Sequence, residues 1–316
     1  MVTKTAEEPS VLGIDNVLGE DTSIRATGRL FEDYRYIKVA VEKRHIFNSP
    51  YFLGIDVDGR LWNATEFDLN GEGAGFYGGR MFGNSVKLMA RYRFERYDVT
   101  DTDSASAVDF RDVKGVNDIS AASLILERDT TNNALYPTKG SQLAGRAELV
   151  AKTIGSDFNY TRFEGEAAFY HTPFSEITLC AHAQLGVMSD FGSTQEVPFY
   201  ERYFVGSGST VRGFKWGRVG PMSAQNNPLG DNCILIGNLE ARRPIYKKLT
   251  GAVFFDAGKT FHDFSDIDKN DLRESAGLGL RYLTPWVVLR ADYGFILDRK
   301  PGDNLGKLHL TISMPF

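Results

Sequence analysis

The sequence predicts an all-β protein: a transmembrane antiparallel β-barrel of about 14–16 strands. Three observations lead to this prediction. Apolar and polar residues alternate with a period of two along most of the chain, whereas helical spacing is nearly absent. Ionised side chains recur on the polar face of strand after strand. No segment approaches the roughly 18 consecutive apolar residues that a transmembrane helix needs.

The composition agrees with a barrel and excludes several other classes. Apolar residues make up 42% of the 316 residues, aromatic residues 12%, and glycine is abundant at 32. A barrel with an apolar outside and a polar lumen averages to such values. The net charge of −5 gives no electrostatic basis for binding nucleic acid.

The sequence also offers no recognisable catalytic or metal-binding set. Cys180 and Cys233 lie far apart and form no redox or zinc motif, so we interpret them as small apolar fillers. The five histidines show no metalloprotease spacing, and no nucleophile stands beside a base. We therefore expect no enzyme activity, no cofactor and no metal.

The clearest strands lie at the C-terminal end. In the last one, apolar residues share one face, and they are Leu308, Leu310, Ile312, Met314 and Phe316. Polar residues occupy the other face, among them His309 and Thr311. Segments 287–295 and 275–282 alternate in the same way. Each is about 10 residues long, the length at which a tilted strand crosses a hydrocarbon core.

The same alternation continues towards the N-terminus. It is found in segments 177–187, 162–169, 142–149, 86–95, 53–61 and 37–42. Several apolar faces carry small residues such as Gly145, Ala147, Gly165 and Ala167. Small residues fill a closed core poorly but cost little against fluid lipid tails. A membrane barrel therefore explains the pattern better than a soluble sandwich, whose apolar face would be its core.

The alternation also sets the expected organisation. About 14 clear strands lie between Ser23 and Phe316, and a weaker run covers 9–16. We expect a partial N-terminal strand and turn in 1–22 and the barrel in 23–316. The first ten residues are polar and acidic, so we expect no signal peptide there. Within the barrel, 189–230 is the longest connection, and a loop of this length is commonly functional.

That loop carries the candidate site at Val211, Arg212, Gly213 and Phe214. A guanidinium is a rigid fork of donors that suits carboxylates, and a buried one without a partner would be expensive. If the loop enters the lumen, Arg212 therefore needs an acidic partner on the wall.

Several segments, in the right order, resemble the C-terminal barrel of the BamA-type superfamily of outer-membrane protein assembly factors, also called bacterial surface antigens. The loop segment RYFVGSGSTVRGFKWGRVGP resembles the sixth extracellular loop of that family, and YPTKG (136–140) resembles its mid-barrel Pro-Thr-x-Gly element. NLEARRPI (238–245) and GAVFFDAG (251–258) are similar to the two strands after the loop. Segments 275–295 and 306–316 are similar to the last three strands. The resemblance covers most of 136–316.

The resemblance implies that the long loop 189–230 folds into the lumen, and it implies specific roles for the loop residues. In the family, the loop arginine contacts acidic residues of the wall, and Glu240 and Asp256 resemble those residues. Alternation places both on lumen faces. We therefore predict that Arg212 pairs with Asp256, Glu240 or both, that Gly213 permits the turn, and that Phe214 is an anchor. The alternative is a loop that only plugs the lumen, as in ordinary porins.

The resemblance also implies a location, a function and partners. It implies a multi-pass barrel of the bacterial outer membrane that inserts unfolded outer-membrane proteins through a lateral seam, without covalent chemistry. Lipid and assembly-machinery lipoproteins are the other partners that it implies. The last strand resembles the β-signal that assembly machinery recognises, although an ordinary final strand would look alike. The substrates, the accessory subunits and the branch of the superfamily stay open.

This chain departs from the family at its N-terminal end. Full-length members carry a signal peptide and periplasmic POTRA domains, neither of which is found in these 316 residues. GIDNVLG (13–19) resembles the end of the family's second strand, so we expect the first strand to be missing. Two alternatives to the assembly function remain open: a secretion or translocation pore of the same superfamily, and a fragment without autonomous activity.

Overall fold

A computed structural model gives the conformation of residues 10–15, 21–30, 34–102, 108–174, 176–284 and 288–313. These residues form one antiparallel sheet of 15 strands, in which each strand pairs with the next along the chain. Such an up-and-down order is what short connections between neighbouring strands produce. The predicted all-β fold is confirmed, and the number of strands lies within the predicted range.

The strands have the following bounds. They are β1 (Ser10–Asp15), β2 (Thr22–Leu30), β3 (Tyr34–Lys43), β4 (Tyr51–Asn63), β5 (Asp68–Phe82), β6 (Val86–Thr100), β7 (Gly115–Asp129), β8 (Gly140–Val150), β9 (Tyr160–Phe174), β10 (Ile177–Asp190), β11 (Cys233–Tyr246), β12 (Leu249–Phe261), β13 (Arg273–Leu283), β14 (Val288–Ile296) and β15 (Gly306–Ser313). Short 3-10 helices occur in the connections, at Ile46–Asn48, Val108–Val113, Lys152–Ile154, Phe199–Glu201, Phe264–Asp266 and Lys269–Asp271. Within the described ranges, no helix is long and apolar enough to span a membrane.

The sheet curls until its two ends meet. Cα atoms of β1 and β15 approach within 8 Å of each other. Ladders of hydrogen bonds join every neighbouring pair from β1 to β15. Between β1 and β15, by contrast, the described residues show no ladder. The contact between β1 and β15 is called the seam below.

The two faces of the sheet differ as the alternation predicts. On β15, Leu310 is 74% exposed whereas the neighbouring His309 is 4% exposed. On β4, Ile55 and Val57 are exposed, while Asp56 between them is buried. Apolar side chains therefore point outwards and charged side chains point into the lumen, as in a membrane barrel and opposite to a soluble one.

The two ends of the barrel also differ. At one end the connections are short, for example 83–85 and 247–248; this is called the turn end. At the other end lie 101–114, 262–272 and the longest connection, 191–232; this is called the loop end. Outer-membrane barrels have short periplasmic turns and longer extracellular loops, which assigns the loop end to the outside.

The segment 191–232, called the lumen loop below, fills the barrel at the loop end. Many of its apolar side chains are buried, including Val197, Phe199, Val211 and Phe214. An antiparallel bridge between Tyr203 and Asp231 closes its base. The lumen loop therefore supplies much of the buried apolar core of a barrel whose walls face lipid.

Candidate functional site

Arg212 lies at the tip of the lumen loop and is bound to the wall by two carboxylates. Its Nε donates to Asp256 Oδ2 at 2.8 Å, and its Nη2 donates to Asp256 Oδ1 at 2.8 Å. Its backbone N–H also donates to Asp256 Oδ2, at 3.0 Å. Its Nη1 donates to Glu240 Oε2 at 2.6 Å. The structure thus brings together the three residues that the sequence analysis selected.

The two carboxylates reach Arg212 because they come from adjacent strands. Glu240 lies on β11 and Asp256 on β12, and both side chains point into the lumen. Asn238, which pairs across the ladder with Asp256, donates from Nδ2 to Asp256 Oδ1 at 2.8 Å and to the Thr210 carbonyl at 2.6 Å. Asn238 therefore holds both the carboxylate and the loop backbone beside Arg212.

A wider set of charges surrounds this pair. Glu240 also accepts from Arg242 Nε at 2.6 Å and from Arg281 Nη2 at 2.9 Å. Asp292 on β14 accepts from Arg281 Nη1 at 2.5 Å and lies 3.6 Å from Arg212 Nη1. The guanidinium of Arg212 also lies 3.4 Å from the centre of the Phe254 ring, in a cation–π contact.

Burial strengthens these ion pairs, and it also means that each buried charge needs its partner. Arg212 is 4% exposed and Asp256 is fully buried. Although burial works against its charge, the hydrogen bonds and charge of Asp256, then the charge of Glu240, hold the pKa of Arg212 above the usual value for arginine. Removing one partner of such a pair would leave the other charge buried and uncompensated.

Glycines let the tip lie directly on the wall. Gly213 has a φ of +95°, a conformation that side-chain-bearing residues rarely adopt. A Cβ at Gly213 would lie 2.9 Å from the carbonyl oxygen of Gly294 on β14. A Cβ at Gly294 would in turn lie 2.6 Å from the Gly213 nitrogen. Both positions exclude a side chain because loop and wall backbones are in contact there.

The tip also reaches the last strand. The Gly213 N–H donates to His309 Nε2 on β15 at 3.0 Å, so that nitrogen is an acceptor. Next to it, Phe214 lies under the guanidinium of Arg273, 4.7 Å from the ring centre. Arg273 in turn pairs with Asp298 and Asp303 at the loop end. The tip therefore contacts β11 to β15, the half of the wall next to the seam.

The opposite wall holds the lumen loop through a second charge, Glu201. Glu201 Oε2 accepts from Arg93 Nη2 at 2.7 Å, from Arg162 Nη2 at 2.8 Å and from the Tyr160 hydroxyl at 2.8 Å. Both arginines also donate to Glu148, on β8. The acidic loop residue Glu201 thus pairs with arginines of one side of the wall, and the basic loop residue Arg212 pairs with carboxylates of the other side.

Two further contacts complete the attachment. Glu66, between β4 and β5, accepts from Ser223 Oγ and from Asn227 Nδ2 in the second half of the lumen loop. An aromatic cluster fills the space below the loop end, and its members are Tyr34, Trp62, Phe67, Phe110, Phe199, Phe204 and Trp216. The lumen loop is therefore fixed on three sides.

Sequence reasoning missed several of these residues. Glu201 is the largest omission, although an acidic residue inside the aromatic run 199–204 is the signal that could have revealed it. Phe110, in the connection between β6 and β7, was not selected from the sequence, yet it is fully buried. The roles of Asp292 and His309 required knowledge of which strands face the tip.

The predicted β-signal residues are described only in part. Leu308 and Leu310 are exposed on the outer face of β15. The backbone of Ile312 pairs with Leu289 on β14. Met314 and Phe316 lie outside the described residues.

Below the lumen loop, towards the turn end, the lumen contains a cavity of about 540 Å³. Charged residues of both signs line it, and they include Arg25, Lys38, Glu42, Asp56, Asp58, Lys87, Arg91 and Glu127. Lys38 and Arg91 both pair with Asp56 across the cavity wall. The lumen side of the N-terminal strands thus borders a polar cavity, whereas the loop tip lies against the C-terminal strands.

The sequence is similar to known outer-membrane proteins. The chain matches the Omp85 superfamily domain over residues 16–316. It is 29% identical over 211 residues to the outer membrane protein assembly factor BamA of Nitratidesulfovibrio vulgaris, which covers 66% of this chain and 26% of that protein. It is 25% identical over 224 residues to BamA of Neisseria meningitidis serogroup B, covering 60% of this chain and 28% of that protein. The chain spans about a quarter of the length of these relatives.

Solved structures share the fold. BamA from Haemophilus ducreyi, lacking POTRA domains 1–3, superposes with a TM-score of 0.79 at 18% identity, covering 96% of this chain and 66% of that one. CdiB from Acinetobacter baumannii superposes with a TM-score of 0.63 at 12% identity, covering 97% of this chain and 56% of that one. At these identities the likeness concerns the fold.

Proposed function

This chain belongs to the Omp85 superfamily, as a β-barrel of the bacterial outer membrane, and on that premise we propose that it is an assembly factor that inserts other β-barrel proteins through its seam. The proposed substrates are unfolded outer-membrane proteins. Sequence relatives that carry the name outer membrane protein assembly factor support this choice. The proposed action is non-covalent and needs no nucleotide or cofactor.

The observation that carries the proposal is the seam. All other neighbouring strands are joined by ladders, whereas the described parts of β1 and β15 approach within 8 Å without one. Unpaired backbone groups are costly in lipid. An incoming strand that forms hydrogen bonds with the edge of a weak seam therefore lowers the free energy. Strand addition of this kind provides affinity through backbone hydrogen bonds.

The lumen loop has a defined part in this proposal. Its tip contacts Gly294 on β14 and His309 on β15, and Arg212 fixes that tip to β11 and β12. A loop seated in this way supports the wall beside the seam from inside. We infer that the lumen loop keeps β15 in place while the edge towards β1 is free to accept a substrate strand.

A folding assay in vesicles tests the assembly function. The chain is reconstituted, an unfolded outer-membrane barrel is added, and folding is followed by the heat-dependent mobility shift on gels. We expect faster folding than in empty vesicles. A thiol crosslink between one cysteine in 10–15 and one in 306–313 should abolish the acceleration, and a crosslink between β6 and β7 should not. Equal folding rates in loaded and empty vesicles would contradict the proposal.

The second candidate function is a secretion or translocation pore. The observation that favours it is the polar cavity of about 540 Å³ under the lumen loop, since a conduit needs a hydrated lumen. The buried aromatic cluster across the loop end argues against an open conduit at rest. Planar-bilayer conductance that depends on displacing the lumen loop, without any acceleration of folding, would favour the pore.

We also propose that lipoproteins of an assembly machinery bind this chain. Affinity purification of the chain from its own outer membrane, followed by mass spectrometry, tests this part. Recovery of lipoproteins with the wild-type chain, and not with an unrelated barrel, is the expected result.

A further inference from the structure

The outer surface of the barrel carries a trough in its apolar belt near the turn end. The trough has a volume of about 470 Å³. Four neighbouring strands form it, and the ladder registers align one residue of each strand: Leu53, Gly78, Ala90 and Leu124. Two small residues therefore lie between two leucines, and the Leu53 side chain lies over the first of them, since a Cβ at Gly78 would be 2.5 Å from Leu53 Cδ2. The surrounding belt is made of exposed large side chains, so the trough is a local depression.

Aromatic side chains border the trough at both ends, and a cation lies at one of them. Towards the middle of the membrane, the rings of Phe76 and Tyr92 stand together on β5 and β6, 5.5 Å apart. Towards the turn end, the trough is bordered by Phe47, which is 99% exposed, and by Arg80. The apolar floor suits the hydrocarbon tail of an amphiphile, and the cation at one end suits an anionic headgroup.

Arg80 is held in a position that suits an anion. Its guanidinium lies 5.6 Å from the centre of the Tyr51 ring and 5.0 Å from the centre of the Phe82 ring. Arg80 is exposed, and among the residues whose structure is described no carboxylate pairs with it. Aromatic residues mark the membrane interface of barrels, so this charge lies at the level of lipid headgroups.

We propose that the trough is a binding site for one phospholipid of the leaflet at the turn end. An acyl chain lies over Ala90, between the Leu53 side chain and Leu124, and the phosphate binds Arg80. The trough volume lies within the range of ligand sites, about 300–1,000 Å³. A guanidinium binds phosphate through paired hydrogen bonds, which a fluid, unselected belt lipid would lack. This inference rests on the membrane barrel and not on the assembly function.

Native mass spectrometry of the 316-residue chain tests the site. The chain is purified in non-ionic detergent and phosphatidylglycerol is added at a fixed ratio. We expect the wild-type chain to retain one phospholipid at collision energies that strip the others. Ala90→Leu, which fills the trough, and Arg80→Gln, which removes its charge, should each lower the retained fraction at least five-fold. Inorganic phosphate should not displace the lipid.

Two matched controls separate the site from the general surface. Gly165 also lies on the outer face, and a Cβ there would meet no atom within 4 Å, so Gly165→Leu places a leucine elsewhere on that face. Arg243 is an exposed arginine near the turn end of β11, so Arg243→Gln removes the same charge elsewhere. Both variants should retain the phospholipid as the wild type does.

Three results would overturn the inference. They are retention by Ala90→Leu equal to wild type, an equal loss in Arg80→Gln and Arg243→Gln, and displacement of the lipid by inorganic phosphate alone. The heat-dependent mobility shift verifies that each variant is folded. Should Ala90→Leu fail to fold, Ala90→Val, a smaller addition to the same floor, together with the two arginine variants decides the outcome.

Discussion

The attachment of the loop tip is most sharply tested by a double-mutant cycle on Arg212 and Asp256. Arg212→Ala removes two side-chain hydrogen bonds to Asp256, one to Glu240 and the cation–π contact with Phe254. In this variant, Asp256 still accepts hydrogen bonds from the Asn238 amide and from the backbone N–H of residue 212, so the loss of stability is smaller than for an isolated buried pair.

The expected magnitude follows from burial and from the partners that remain. Breaking a buried ion pair from one side costs about 3–5 kcal/mol. For the Arg212–Asp256 pair we expect a coupling free energy of about 2–3 kcal/mol. For Arg212–Glu240 we expect about half of that, because Glu240 keeps Arg242 and Arg281 as partners.

Tryptophan emission reports the release of the lumen loop. Trp62 on β4 and Trp216 on the loop have ring centres 5.2 Å apart, so separation of the loop from the wall changes their environment. Trp286→Phe removes the third tryptophan of the chain from the signal. Urea titrations of the single and double variants in micelles then give the coupling. Additive effects of Arg212→Ala and Asp256→Ala would refute the pairing on which the account of the site depends.

Further predictions concern the other contacts of the lumen loop. Glu201→Gln should speed trypsin cleavage after the exposed Lys215 and Arg218, because the lumen loop loses its contacts with Arg93 and Arg162 and becomes mobile, whereas Glu196→Gln should not. Gly213→Ala should destabilise the seated loop by about 1–3 kcal/mol through its φ of +95° and its contact with β14, measured by the same urea titration. Gly294→Ala should displace the tip through steric contact with the backbone of Gly213 and so change the tryptophan emission. Unchanged emission in that variant would argue against contact between the two backbones. His309→Leu should leave the Gly213 N–H without its acceptor and shift the urea midpoint by about 1–3 kcal/mol.

Much of the barrel follows from local pattern. A period of two decides which side chains of a strand face lipid, so residues such as Leu310 and His309 could be assigned without tertiary information. The same alternation placed Glu240 and Asp256 on the lumen side, and the resemblance of the loop to a known family supplied the reason to connect them with Arg212.

The remainder depends on contacts across the lumen. Glu201 meets Arg93 and Arg162, which are 108 and 39 positions away along the chain. Such a meeting depends on curvature, strand tilt and the path of the loop, none of which a strand pattern specifies. The outer trough likewise exists because Gly78 and Ala90 are adjacent in register, which required the pairing of β5 with β6.

The lumen loop folds into the barrel with its tip on the wall beside the seam. Disulfide formation between Gly208→Cys and Thr311→Cys measures this placement most directly, after Cys180 and Cys233 are replaced by alanine. A Cβ at Gly208 would lie 3.4 Å from Thr311 Oγ1, which is close enough for a disulfide. We expect rapid crosslinking in the folded barrel and slower crosslinking when Arg212→Ala is added. We expect none when Met89→Cys on β6 is used in place of Thr311→Cys. Failure of the Gly208–Thr311 pair to crosslink, or equal yields for both pairs, would contradict this placement.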